Sequence, residues 1–346
     1  MTGIEGSDTE AGGQMRPFRP NEFAFAGVGV TFFRCPLTLD PDELATADAA
    51  IVGAPFDGGT TYRPGARFGP RAIREADYVG EPAYQHPELA NLDPFRALKV
   101  VDYGDAPADP NDLEASHDAL REKVAEVLAA DAVPFVLGGD HSVSAPMMQS
   151  LAEHFGPEEF SVVHFDTHAD VEPSHSGTNH HGTPFSRAAE RGFLEPGNMV
   201  KVGLRGGFSY LQEEFDWMTE HGARWHTMGE ILDRGLEAVV SDAIEHAQKS
   251  ASRTYLTVDI DVLDPAFAPG TGTPEPGGMT TRELLWAVRE VAKSLDLCAM
   301  DLVEVSPPYD HAGITALAGN RVVVEALSGT AHRRARCSPP HRDVES

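Results

Sequence analysis

Asp166, His168 and Asp170 stand at alternate positions in the stretch FDTHADV, directly after an apolar run. In an extended backbone, residues two apart point to the same side. The three side chains therefore converge if the chain stays roughly extended past the strand end. Asp259 and Asp261, in TYLTVDID, repeat the spacing, and GGDHS supplies His141 from a third apolar run. The set comprises four carboxylates and two imidazoles with no thiolate. Crowded carboxylates repel one another and take up protons, and two divalent cations would neutralise them. Oxygen-rich ligands with imidazole favour Mn²⁺ over Zn²⁺, with Fe²⁺, Co²⁺ and Ni²⁺ left open. Taken singly, a D-x-D after a strand is more often a turn or helix cap, and Gly-Gly-Asp-His-Ser is as readily a turn running into a cap. D-x-H-x-D is sharper, because three metal-binding side chains at period two rarely serve packing.

The elements that must position these residues are eight short apolar runs: Ala49–Pro55, Leu98–Gly104, Pro134–Gly139, Phe160–Asp166, Met199–Arg205, Ala223–Met228, Thr254–Asp261 and Cys298–Val305. Several are apolar almost throughout, as strands covered on both faces are. Helix signals lie between them. Gly69-Pro70 places a proline at the start of RAIREAD. NDLEASHDALREKVAEVLAAD predicts an N-cap at Asn111, and Thr280 with Glu283 stands in capping-box register. Alternating β and α units predict an α/β fold: a three-layer α/β/α sandwich around a mainly parallel sheet. Ligands in such folds bind beyond the carboxyl ends of the strands, where the metal-binding side chains fall.

The chain reads as one domain over residues 20–330, with a flexible arm at 1–19 and a frayed tail at 331–346. MTGIEGSDTEAGGQM carries acids and glycines where a signal peptide carries basic then apolar residues. No apolar run is long enough to span a bilayer, so the expectation is a cytoplasmic protein without a membrane partner. Cys35, Cys298 and Cys337 are odd in number and far apart, which reads as reduced thiols. The formal charge of −27 argues against nucleic acid, since phosphate would be repelled. It would draw a cationic substrate over long range, although an acidic surface also serves solubility or a salt-rich host.

GGDHS, HFDTHAD, HHGTPF, LTVDIDVLDPAFAPGTGTPEPGG and DLVEVSPPYD together resemble the ureohydrolase (arginase–agmatinase) family. The likeness runs from Val52 to the helix after Tyr309, and GTGTPEPGG and EVSPPYD resemble its agmatinase branch. The resemblance implies an eight-stranded sheet, a two-manganese centre, and a homotrimer or homohexamer. It implies as ligands His141, Asp166, His168, Asp170, Asp259 and Asp261, with Asp166 and Asp259 bridging. His181 matches the family's proton-shuttle histidine, and Glu304 the acid that holds the guanidinium. His175 and His180 read as loop residues. The implied reaction hydrolyses a guanidino compound to urea and an amine. A guanidinium carbon is a poor electrophile, so water must arrive as hydroxide, which two metals supply at neutral pH.

At the position two after Asp170, arginases generally carry an Asn, whereas this chain has Glu172. An acid there disfavours a substrate carboxylate and tolerates an amine or neutral tail, which ranks agmatine first and arginine low. The alternative is that Glu172 simply faces water. FDTHAD also departs from the FDAHTD of many agmatinases at Thr167 and Ala169. Guanidinobutyrate, guanidine itself and a substituted guanidine or biguanide stay open. A non-catalytic subunit of the same fold is disfavoured by the full ligand set. A metallo-phosphoesterase is disfavoured because Gly58-Gly59 lacks the P-loop pattern.

Overall fold

The computed structural model describes residues 30–78, 84–172, 179–207 and 211–337. The arm at 1–19 and His175 lie outside them. All eight apolar runs form strands: β1 (Ala49–Gly53), β2 (Val100–Asp105), β3 (Val133–Leu137), β4 (Phe160–Phe165), β5 (Met199–Leu204), β6 (Arg224–Thr227), β7 (Arg253–Asp259) and β8 (Leu297–Val303). They make one sheet in the order β2-β1-β3-β8-β7-β4-β5-β6, and every pairing is parallel. Side chains of β1, β3 and β4 are buried on both faces, which is why their sequences show continuous rather than alternating hydrophobicity.

The helices are α1 (Gly69–Glu75), α2 (Pro94–Ala97), α3 (Leu113–Ala129), α4 (Ser144–Phe155), α5 (Pro184–Glu190), α6 (Leu211–Glu220), α7 (Met228–Arg234), α8 (Leu236–Ser250), α9 (Thr281–Ser294) and α10 (Ile314–Cys337). Two cores flank the sheet. Ile51, Phe135 and Val163 share one with Ile73 of α1, Val239 of α8, Leu284 of α9 and Val323 of α10. Val52, Val136 and Val162 point the other way, toward Leu120 of α3, Met147 of α4, Phe185 of α5 and Met218 of α6. This is the expected three-layer sandwich. In α9, Leu284, Ala287, Val288 and Val291 line one buried stripe, and the Thr280–Glu283 capping box is formed.

Two local expectations are corrected. The N-cap of α3 is Asp112, not Asn111: the Asp112 carboxylate accepts the Ala115 N–H at 3.0 Å, whereas the Asn111 N–H donates to Asp109. The tail does not begin at Ala331, because α10 continues to Cys337 and Ala331 is buried in the core. Its RRAR run read as polar fraying, but Arg333 and Arg334 pair with Asp296 and Asp48 of neighbouring segments. Cys35 and Cys298 are buried and form no disulfide. No helix among the described residues is long and apolar enough to cross a membrane.

Candidate active site

Register sets the stage. Leu137 of β3 lies beside Leu302 of β8, Leu302 beside Val258 of β7, and Val258 beside Phe165 of β4. One row thus crosses the four central strands at about 4.8 Å per step. Every expected ligand follows this row within five residues of its own strand: Asp259 and Asp261, Asp166, His168 and Asp170, and His141. The strand order reverses here, with β1 and β2 beyond β3 on one side and β5 and β6 beyond β4 on the other. That is the crevice in which open parallel sheets bind ligands.

The chain does not stay extended past the strand ends, contrary to the sequence expectation. It turns, and the first aspartate of each motif makes the turn. Asp166 accepts the His168 N–H at 2.6 Å, Asp259 accepts the Asp261 N–H at 2.8 Å, and Asp140 accepts the Ser142 N–H at 2.9 Å. A short carboxylate side chain bonds readily to the backbone two residues on, so each motif is both a cap and a member of the cluster. Arg205 locks the Asp261 turn, donating to the carbonyls of Asp261, Leu263 and Glu275 at 2.6–3.1 Å. Asp170 and Glu304 have positive φ, 52° and 64°. Non-glycine residues seldom adopt this region, and it collects at functional sites.

Two donor groups result, one of His141, His164, Asp166 and Asp170, the other of Asp166, His168 and Asp261. Within each, the donor atoms lie within 4.8 Å of one another, and Asp166 belongs to both. Asp259 joins the first, its Oδ2 3.2 Å from His141 Nδ1. That nitrogen also lies 3.0 Å from Asp166 and 2.8 Å from Asp170, yet none of the three oxygens is aligned for a hydrogen bond. A buried imidazole nitrogen that faces three carboxylate oxygens without pairing suits a cation between them. The oxygen-and-imidazole donors suit Mn²⁺-type metals, so the residues fit a two-metal centre. Charge agrees. Burial, with Asp261 and Asp166 nearby, holds Asp259 well above the usual carboxylate range. Burial lifts Asp261 to about 6 against the pull of His168. Burial would also raise Asp166, but His164, His141 and His168 outweigh it and keep that group ionised.

Glu304 and His181 face each other beside this cluster. His181 Nδ1 is 2.9 Å from Glu304 Oε1, which also accepts the His141 N–H at 3.0 Å. Glu304 Oε2 is buried without a partner. Thr61 approaches His181 Nε2 through its N–H at 3.1 Å and its hydroxyl at 2.6 Å. Burial pushes the His181 pKa down, but Glu304, with Asp140 and Asp170, carries it up to about 9. A cavity of about 220 Å³ is lined by Thr61, His141, His168, Asp170, Glu172, His181, Glu214, Asp259 and Glu304. Glu172 is half-buried at its rim, with His180 Nε2 3.5 Å away. Burial, with Asp170, raises the Glu172 pKa. A larger cleft of about 790 Å³ between α8 and α9, lined by Leu236, Trp286 and Arg289, shares no residue with the two donor groups.

Sequence reasoning missed four participants. His164 continues the period-two run one step back into β4, a signal present in the sequence. Lys201 stood out only as the one charge inside MVKVGL. Its side chain is wholly buried, and burial lowers its pKa to about 8. Glu214 of α6 reaches the cavity, and burial with Asp170 and Glu172 lifts it to about 8. Nothing in the sequence singled out Glu214 or Thr61.

This is the fold and site of a metal-dependent hydrolase of the ureohydrolase type. Residues 47–329 match the arginase family, and the chain belongs to that family. It is 40% identical over 314 residues to the guanidinopropionase of Pseudomonas aeruginosa, covering 90% of this chain and 94% of the relative. The solved proclavaminate amidino hydrolase of Streptomyces clavuligerus superposes with a TM-score of 0.80 at 36% identity, over 90% and 99% of the two chains. A hypothetical agmatinase of Burkholderia thailandensis gives 0.81 at 34% identity, over 94% and 98%. The chain is accordingly an arginase-family hydrolase of guanidino compounds, acting on C–N amidine bonds in a family that depends on a binuclear metal centre.

Proposed function

We propose that the chain hydrolyses agmatine, or a guanidino compound with a similarly basic or neutral tail, to urea and an amine. The observation that carries this reading is the cavity itself. Members of both donor groups, His141, His168 and Asp170, line it together with Glu304, whose Oε2 is unpartnered, and the lining includes Glu172 and Glu214 but no Lys or Arg. A substrate carboxylate would find no Lys or Arg among the described lining residues.

His141, Asp166, His168, Asp170, Asp259 and Asp261 would hold two divalent cations, Mn²⁺ first. Bound there, the pair supplies hydroxide at neutral pH. Glu304 Oε2 accepts N–H bonds from the planar guanidinium, charge-assisted on both sides, while Oε1 is held by His141 and His181. For the C–N bond to the substituted nitrogen to break, that nitrogen must gain a proton, while the hydroxyl oxygen that stays on carbon must lose one to give urea. His181, held through Nδ1 by Glu304, is the group placed to supply the nitrogen's proton. Glu172 and Glu214 face the tail. We also propose a homotrimer or homohexamer acting in the cytoplasm.

A second reading, an ω-guanidino acid as substrate, is favoured by the name of the guanidinopropionase relative. Urea release from agmatine, guanidinobutyrate, guanidinopropionate, arginine and guanidine separates the two. The acids exceeding agmatine in kcat/KM would overturn the first reading. Chelation is expected to abolish urea release and Mn²⁺ to restore it. Full activity in metal-free protein would defeat the metal centre.

A further inference from the structure

Lys201 lies in the middle of β5, fully buried, and none of the described ion pairs involves it. Its ammonium sits 3.7 Å over the Phe185 ring and 2.5 Å from His164 Nδ1. A buried lysine is costly unless it is hydrogen-bonded, and what it bonds to is specific. His164 is the residue directly opposite it on β4. His164 Nε2 in turn lies 2.8 Å from Asp166 Oδ2, and Asp166 Oδ1 accepts the His168 N–H. Both oxygens of the aspartate shared by the two donor groups are therefore held.

We propose that Lys201 is a positioning residue for the metal centre, acting through the tautomer of His164. An ammonium has no lone pair, so Lys201 Nζ donates and His164 Nδ1 accepts. The ring proton then resides on Nε2 and points at Asp166, which only accepts. Without Lys201, His164 is free to carry its proton on Nδ1 and turn a lone pair toward Asp166. It would then repel the carboxylate or compete with it for a cation, since His164 already lies within the first donor group. The packing supports a fixed ring: His164 is wedged between Phe185 at 4.6 Å and the His141 imidazole at 4.8 Å, centroid to centroid. A lysine on one strand thereby sets the bridging geometry made on the next.

The inference rests on the two-metal reading, and the test keeps the two apart. Mn²⁺ is titrated into metal-free wild type, Lys201→Met, His164→Gln and the double variant, with the spin-coupled Mn spectrum recorded at saturation. Wild type taking up two Mn²⁺ per chain upholds the parent reading, and failure to do so overturns it. Lys201→Met is expected to weaken Mn²⁺ binding about 10- to 100-fold, the usual effect of losing a partner behind a ligand, and to change the coupled spectrum. In the His164→Gln background, whose amide donates to Asp166 without a tautomer to choose, Lys201→Met is expected to change binding less than about threefold. Equal losses in both backgrounds, or wild-type affinity in Lys201→Met, would overturn the proposal. Should Lys201→Met not fold, imidazole nitrogen shifts in metal-free wild type decide. The Nε2–H form supports the proposal and the Nδ1–H form sinks it.

Discussion

Replacing Glu304 with Gln isolates the substrate-holding group. The side chain is 1% exposed, and its two oxygens have different work. Oε1 accepts from His141 N–H and from His181 Nδ1, while Oε2 has no partner. In Glu304→Gln the amide oxygen satisfies the two existing donors, so the amide N–H₂ must take the place of Oε2 and face the cavity. A guanidinium then meets donors where it met a carboxylate. Hydrogen bonds to charged groups are worth about 1.5–3 kcal/mol, and opposing a donor with a donor adds to the loss. The expected cost is about 2–4 kcal/mol, or roughly 30- to 1,000-fold in kcat/KM at about 1.4 kcal/mol per tenfold. Glu304 belongs to neither donor group, so Mn²⁺ content should match wild type. Urea release under initial-rate conditions, with metal counted on the same sample, makes the measurement. A variant within threefold of wild type at full metal content would refute the assignment, since no guanidinium could then depend on that oxygen.

His181→Ala is expected to lower kcat by about 10²- to 10⁴-fold with little change in KM, as loss of a proton donor does; matched losses in both would point to positioning. Glu172→Gln should raise the ratio of guanidinobutyrate to agmatine turnover by removing a charge near the tail, and an unchanged ratio would show that Glu172 faces only water. His117 predicts a pH effect on stability. Burial, helped by Arg191, lowers its pKa from 6.5 to about 4, and its Nε2 lies 3.0 Å from Ser142 Oγ, behind the turn that carries His141. The unfolded chain takes up this proton near pH 6.5 and the folded chain only near 4. The contribution is therefore whole above pH 6.5 and falls by about 3 kcal/mol as pH drops to 4. Urea melts of metal-free wild type and His117→Gln at pH 7 and pH 5 should show the smaller pH dependence in the variant, and equal slopes would contradict it.

Much of this was legible in the sequence for definite reasons. Strands buried on both faces write themselves as unbroken apolar runs, so all eight could be placed, and a side chain such as Asp259 at the end of such a run has few ordinary uses. The turns were not legible. Alternation in FDTHADV suggested an extended chain, but Asp166 prefers to bond the His168 N–H, and that competition between side chain and strand is decided by the local backbone. Lys201 acquires meaning only from facing His164, a pairing set by register between segments 37 residues apart. The N-cap of α3 slipped by one residue because Asn111 and Asp112 are both good caps, and geometry alone chooses between them. The end of the chain misled because charged residues on the last turns of α10 look the same whether solvated or paired.

The last strand in sequence among the described residues, β8, lies in the middle of the sheet, between β3 and β7. β8 separates the strand that leads to His141 from the one that ends at Asp259, and Glu304 follows β8 itself. The group of Asp166, His168 and Asp261 is complete at the ends of the directly paired β4 and β7, whereas the group that needs His141 reaches across β8.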